Sequence, residues 1–287
     1  MPTTYAHFRF GDLCIKELPT DLQSIINDNR DIFNYGVHGP DIFFYYNCLK
    51  PNKVNQFGSD LHDIPFKDEL AIMKKNYNKC SNKAEAMSYL LGFTAHFVLD
   101  SYCHSFIQKV DESTKYSHGK IESQFDRYLL SKDGFNPITK STTESLKPSK
   151  SMAKTISTLF GEYDEKTIYK CLKDQKFYLN LLKDDSDLKR FFLIKAMDAF
   201  KKPGFKDLLI STEQLKDLDS VNLRLDKLFD IALKHYPILA NSLNGYFYDL
   251  NDLNIYFSNN FSYKDGYKQL KILSYEEEVN YKVDLQD

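Results

Sequence analysis

The feature that most constrains this chain is a row of three ligand-type residues, His96-x3-Asp100-x3-His104, set inside an apolar run. On an α-helix, positions i, i+4 and i+8 drift by only about 40° per step and span about 12 Å, so the three side chains share one face. Their neighbours Leu91, Phe93, Phe97, Leu99 and Phe106 are apolar, so such a helix is apolar on most sides. A helix apolar on most sides belongs in a core. A buried imidazole–carboxylate–imidazole row must find partners for its polar atoms. Core histidines hydrogen-bonded to the aspartate would satisfy part of it; metal ions would satisfy it more completely.

The rest of the chain agrees with a helical protein. Its 287 residues are 42% hydrophobic, enough to bury a core. With 11 glycines and 9 prolines it lacks the turn residues of a many-stranded fold, so an all-α helical bundle is expected. A formal charge of −2 gives no basic footprint for a long nucleic-acid track. The five cysteines (Cys14, Cys48, Cys80, Cys103 and Cys171) are widely spaced without a CxxC pair, which fits reduced thiols. Met1 to His7 holds neither a basic nor an apolar leader region, so no signal peptide and a cytoplasmic location are expected. No run approaches the roughly 18–20 apolar residues of a membrane span.

Along the chain, the stretch to about Leu18 reads as irregular, punctuated by Gly11 and Pro19. Thr20-Asp21 can cap a helix over Leu22 to Asn34, and Pro40 suits the first turn of another carrying Asp41. Pro51 to Pro65 reads as a loop holding His62. Helices are expected over Lys67–Tyr77, Lys83–Val110 and Ser117–Leu130, then near 151–161, 164–182, 185–202 and 219–249. Pro137 to Lys150, rich in Ser, Thr and Lys, reads as a surface loop. One helical domain over 1–250 is expected, with 251–287 as an extension packing on it. Nothing beyond residue 130 reads as a chemical site.

His118-x3-Glu122 repeats the ligand spacing on the helix after His104. Alone it would be an ordinary surface pair. Two adjacent helices carrying His-x3-Asp-x3-His and His-x3-Glu can face each other across a bundle, which is how helical folds assemble multimetal sites. Imidazole and carboxylate without thiolate favour zinc, with manganese or iron as alternatives. His38 reads as a turn histidine, His235 as structural, and Phe43-Phe44-Tyr45-Tyr46 as core or as an aromatic wall.

The order His7, Asp41, His62, His96, Asp100, His104, His118, Glu122 resembles the bacterial zinc-dependent phospholipase C family, whose all-helical fold is shared by fungal single-strand nucleases. Tyr5-Ala6-His7-Phe8-Arg9-Phe10-Gly11, Gly39-Pro40-Asp41 and Thr94-Ala95-His96 through His104 carry the likeness, over about residues 1–130. The resemblance implies a phosphodiester hydrolase holding two or three Zn2+ ions, with phospholipid or another small phosphodiester as substrate and transient contact with a membrane surface. Its alternatives are a nuclease or 3′-nucleotidase, or a non-catalytic metal-stabilised module that binds lipid or a partner.

Carried over by position, the resemblance gives one zinc to His62, His96 and Asp100, and its close neighbour to His118 and Glu122. Asp41 would bridge that pair and orient the attacking water, the catalytic role. His7 and His104, with Asp100 shared, would hold a third ion. Secreted relatives complete that third site with an N-terminal tryptophan amine. This chain has no tryptophan, and the Pro2 amine is the group that would stand there once Met1 is removed. Glu122 at the last position fits the phospholipase branch better than the nuclease branch.

Overall fold

In a computed structural model, residues 4–183, 186–199, 209–262 and 264–283 are described. Among them there is no strand, and twelve α-helices carry the fold. The first seven are α1 (Thr4–Lys16), α2 (Thr20–Asp28), α3 (Arg30–Gly36), α4 (Lys53–Asp63), α5 (Phe66–Tyr77), α6 (Lys83–Ser113) and α7 (His118–Lys132). The others are α8 (Lys150–Phe160), α9 (Glu165–Leu182), α10 (Asp187–Ala199), α11 (Asp219–Phe247) and α12 (Tyr275–Asn280).

The central helix is α6, capped by the Asn82 side chain, which accepts from the Glu85 amide. Residues 86–101 of α6 are all buried, as expected of a helix apolar on every face. It packs against α1, α2, α3, α7 and α11. At the crossing of α3 and α6, a Cβ on Gly36 would strike Tyr89 O and one on Gly92 would strike Phe33 O. Side-chain-free positions on both helices let the two backbones approach directly, which sets the distance between α6 and the turn after α3.

Most helices from residue 66 onward lie where the apolar spacing puts them. The region before it departs from expectation in four places. The N-terminal stretch is helical, not irregular: Ala6, Phe10 and Cys14, four residues apart, are all buried and outweigh Gly11. The helix expected over Leu22–Asn34 is two helices broken at Asn29, and α2 begins after Pro19 without a side-chain cap. The segment with Pro40 and Asp41 is a 3₁₀ turn over Gly39–Tyr45, not an α-helix. Residues 53–63 form α4 where a loop was expected; the Asn52 side chain accepts from the Val54 and Asn55 amides and starts it. Near 185–202, α10 covers Asp187–Ala199, and 185 and 200–202 lie outside the described residues.

After α11 the chain returns over α4, α5 and α6. A 3₁₀ turn at Ile255–Ser258 leads to Asn259, whose carbonyl accepts from the Phe66 amide at 2.9 Å. Further on, Glu278 of α12 takes both Nε and Nη2 of Arg224 on α11, each at 2.9 Å, in a buried fork-to-fork pair.

Among the described residues one buried carboxyl has no visible partner. Glu69 on α5 is 4% exposed, and its Oε1 has no hydrogen bond. Burial pushes its pKa up to about 7. Below about pH 4.5 the carboxyl is protonated in folded and unfolded chains alike. Between about 4.5 and 7 the unfolded chain has lost the proton while the folded chain keeps it, so stability falls as pH rises through this window. Glu69→Gln removes that loss. Urea unfolding should show the variant gaining about 2 kcal/mol over wild type between pH 5 and pH 8. A constant difference across the range would show that the site is not desolvated.

Candidate metal centre

The central row does share one face of α6, and four neighbouring elements bring their own polar groups to it. His7 comes from α1, Asp41 from the 3₁₀ turn, His62 from the last turn of α4, and His118 and Glu122 from α7. The placement of His7 depends on a residue the sequence does not flag. Asp126 of α7 accepts from the Tyr5 amide at 2.9 Å and the Ala6 amide at 2.7 Å, tying the start of α1 beside the site. These are amides of the first helical turn, which have no partner inside the helix. The Asp41 turn needs Gly39 before it. Gly39 has φ +49°, and a Cβ there would overlap the His96 ring.

All eight expected residues meet in one cluster, in three groups. In each group one ligand atom per residue lies within 4.8 Å of the others: His7, His96 and Asp100; Asp41, His62 and His96; His104, His118 and Glu122. Asp100 is the joint of the cluster. Its Oδ1 stands 3.2 Å from His7 Nε2 and 3.6 Å from His104 Nε2, and its Oδ2 2.9 Å from His96 Nε2. Asp41 faces His62 Nε2 at 3.2 Å and His96 Nε2 at 3.6 Å. Glu122 Oε1 lies 3.1 Å from His118 Nε2 and 3.4 Å from His104 Nε2.

His104 stands with His118 and Glu122, and its Nε2 also faces the Asp100 oxygen that faces His7. Asp41 stands with His62 and His96 and lines the same cleft as His118 and Glu122. Eight residues turn a side chain by about 80°, so His96 and His104 approach Asp100 from different sides. The Pro2 amine lies outside the described residues.

Three of the imidazoles are held in the same way. His62 Nδ1 donates to Gly58 O at 2.7 Å, His96 Nδ1 to Val37 O at 3.2 Å, and His104 Nδ1 to Phe261 O at 2.6 Å. A carbonyl can only accept, so Nδ1 carries the proton and a neutral ring points its Nε2 lone pair inward. Those lone pairs face carboxylate oxygens. Two electron-rich atoms at 3 Å repel unless a proton or a cation lies between them. Both oxygens of Asp41, Oδ2 of Asp100, Oε2 of Glu122 and Nε2 of His96 are buried without a hydrogen bond, although several stand within ion-pair distance. This donor set fits a metal ion. Ligating histidines characteristically pass the other ring proton to a carbonyl or carboxylate.

Without a metal ion, the same charges act on protons. Burial alone would raise the Asp100 pKa, but the imidazoles of His104, His96 and His7 outweigh it and hold the carboxyl well below its usual range. His104 moves the other way, to about 9: burial lowers it, and the charges of Asp100 and Glu122 more than reverse this. Glu122 is likewise held below its usual range by His118 and His104, against burial. None of the three groups includes a cysteine, and burial raises the thiol of Cys103, the nearest one in sequence. Nitrogen and oxygen donors without sulfur suit zinc.

The model of the family described as "Zinc dependent phospholipase C" matches residues 6–196. The chain belongs to this family. No curated protein and no solved structure matches the chain. All eight clustered residues lie within the span that matches the zinc-dependent phospholipase C family.

The cluster opens to a cleft of about 240 Å³, whose other walls are Phe44, Ser59, Asp63, Gln108 and Ser262. Phe44 is half-buried and stacks on His62, with ring centroids 5.4 Å apart. Ser262 was invisible to sequence reasoning, being a lone serine in a segment without a motif. The two other histidines stand apart from the three groups. His38 is buried, and burial lowers its pKa to about 3; His235 Nδ1 is paired with the Tyr102 hydroxyl at 2.9 Å.

Proposed function

We propose that this chain is a zinc-dependent phosphodiester hydrolase of the phospholipase C type, holding two to three zinc ions and acting on a phospholipid or another small phosphodiester. The observation that carries this reading is the inward-facing set of Nε2 and carboxylate atoms that lacks hydrogen bonds. His62, His96 and Asp41 would hold one ion, His104, His118 and Glu122 a second, and His7 with Asp100 a third. When bound, zinc supplies a Lewis acid for the phosphoryl oxygens and makes water acidic enough to attack phosphorus near neutral pH.

The chain's own residues do the rest. Asp41 is 1% exposed at the floor of the cleft, with both oxygens free of hydrogen bonds, so it can orient a water and take its proton. The carbonyls of Gly58, Val37 and Phe261 hold three imidazoles in register, so the donors need not reorganise during reaction. Phe44 offers an apolar face at the mouth, while Ser59, Gln108 and Ser262 offer hydroxyl and amide groups to a polar headgroup. Among the described residues no lysine or arginine lines the cleft, which favours a small headgroup over a nucleic-acid backbone. Among the described residues no helix is long and apolar enough to cross a membrane, so contact with lipid would be at the surface.

Zinc content and turnover test the reading together. Protein expressed with ample zinc should carry two to three ions per chain and cleave phosphatidylcholine or a chromogenic phosphodiester in preference to single-stranded DNA. Asp41→Asn should retain the fold and lose turnover. Less than one ion per chain would overturn the metal reading; preference for DNA would move the activity to the nuclease class.

A further inference from the structure

Residues 259–262 lie beyond the span that matches the family and contain no titratable side chain, yet two site histidines are fastened to them. The Phe261 carbonyl accepts from His104 Nδ1 at 2.6 Å. From the same residue the Phe261 amide donates to the His62 carbonyl at 3.2 Å, and Ser262 Oγ donates to the same carbonyl at 3.3 Å. Ser262 Oγ also lies 3.0 Å from Asp63 Oδ1. The Phe261–Ser262 dipeptide thus ties the ring of His104 on α6 to the backbone of His62 on α4. These two histidines belong to different groups of the cluster.

The Phe261 ring does a second job. It is 1% exposed, with its centroid 5.5 Å from that of His62 and 5.7 Å from that of His96. On its other sides it meets Phe66, Phe93 and Phe97. One aromatic ring therefore backs two imidazoles while its own carbonyl orients a third. The strap is pinned on both sides: the Asn259 carbonyl takes the Phe66 amide, and the Lys264 amide donates to Ser105 Oγ at 3.0 Å. Ser105 follows His104 directly, so the second pin fixes the strap against the very turn of α6 that carries this imidazole.

We propose that Phe261, with the strap around it, is a positioning residue of the metal centre: it fixes the tautomer and aim of His104 and the seat of His62, and so sets zinc affinity. A backbone acceptor leaves no sequence signature, and its ring contacts resemble any core aromatic. The inference rests on the metal reading of the site. Its readout is affinity for zinc, so it can fail independently of turnover.

The test uses the full chain and a competing zinc chelator. Phe261→Ala removes the ring that holds the carbonyl in place. Phe257→Ala is the control: Phe257 is equally buried in the same return segment and packs on Phe97 and Phe66, with no ring contact to a site histidine. Partners of metal ligands typically change affinity 10–100-fold when lost, so Phe261→Ala should weaken zinc binding by about that factor while helical circular dichroism persists. Phe257→Ala should lower the melting temperature comparably and leave zinc affinity at the wild-type value. If Phe261→Ala does not fold, Phe261→Leu keeps the apolar fill, loses the ring contacts and is read the same way. Equal zinc affinity in wild type and the Phe261 variant, or equal weakening in both variants, overturns the strap. A wild-type chain that holds no zinc overturns the strap and the metal reading together.

Discussion

Replacing Asp100 by alanine should strip zinc from the centre and abolish phosphodiester turnover while α6 stays helical. Asp100 is the one side chain within 3.6 Å of imidazoles from both ends of the row and from α1. Its two oxygens face different histidines, so its loss reaches more than one group of the cluster. Changing a mere partner of a ligand costs about 10–100-fold in metal affinity, and a shared direct donor should cost more. Alanine also leaves His96 Nε2, 0% exposed, without its nearest anion. The fold should survive, because the helix is held by apolar residues on its other faces, among them Leu91 and Val98, both fully buried. Metal analysis and circular dichroism on the same sample decide the matter. A variant that keeps its full zinc complement and its turnover would remove Asp100 from the site.

That residue was readable in the sequence because four-residue spacing projects directly onto one helix face. The same logic exposed His118 and Glu122. It could not say which side chains share an ion, since grouping depends on how far each helix is rotated toward its neighbour. Asp100 stands at the joint, His104 beside both Asp100 and Glu122 of α7, and Asp41 beside His62 and His96. The helices with long apolar patterns were legible for the same reason as the ligand row. The early part of the chain was not, because its signals are local and polar. Asn52 starts α4 through two side-chain bonds to amides, and that cap turns an apparent loop into the helix that presents His62. Asp126 and the Phe261 carbonyl lay out of reach for a different reason. They act on backbone or through backbone, over sequence separations of 121 and 157 residues, so no local pattern announces them.

Removing zinc with a chelator should lower the melting temperature by about 8–16 °C for each site emptied. Each site that is saturated a thousandfold over its dissociation constant contributes about 4 kcal/mol to the folded state, and each kcal/mol moves the melting point by about 2–4 °C in a chain of this size class. The structural reason is the placement of charge. Asp41, Asp100 and Glu122 are 1%, 3% and 5% exposed, and a buried carboxylate without a cation is costly. Imidazolium at His104, whose pKa stands at about 9, offsets part of this in the metal-free chain, which is why the fold should persist, weakened, and not collapse. Adding zinc back should restore the melting point. Magnesium should not, because it demands oxygen ligands in octahedral array, whereas five of the eight converging side chains are imidazoles. Restoration by magnesium would mean that the carboxylates alone hold the ion; no change on chelation would mean that the histidines carry the protons that pair these carboxylates, with no metal between them.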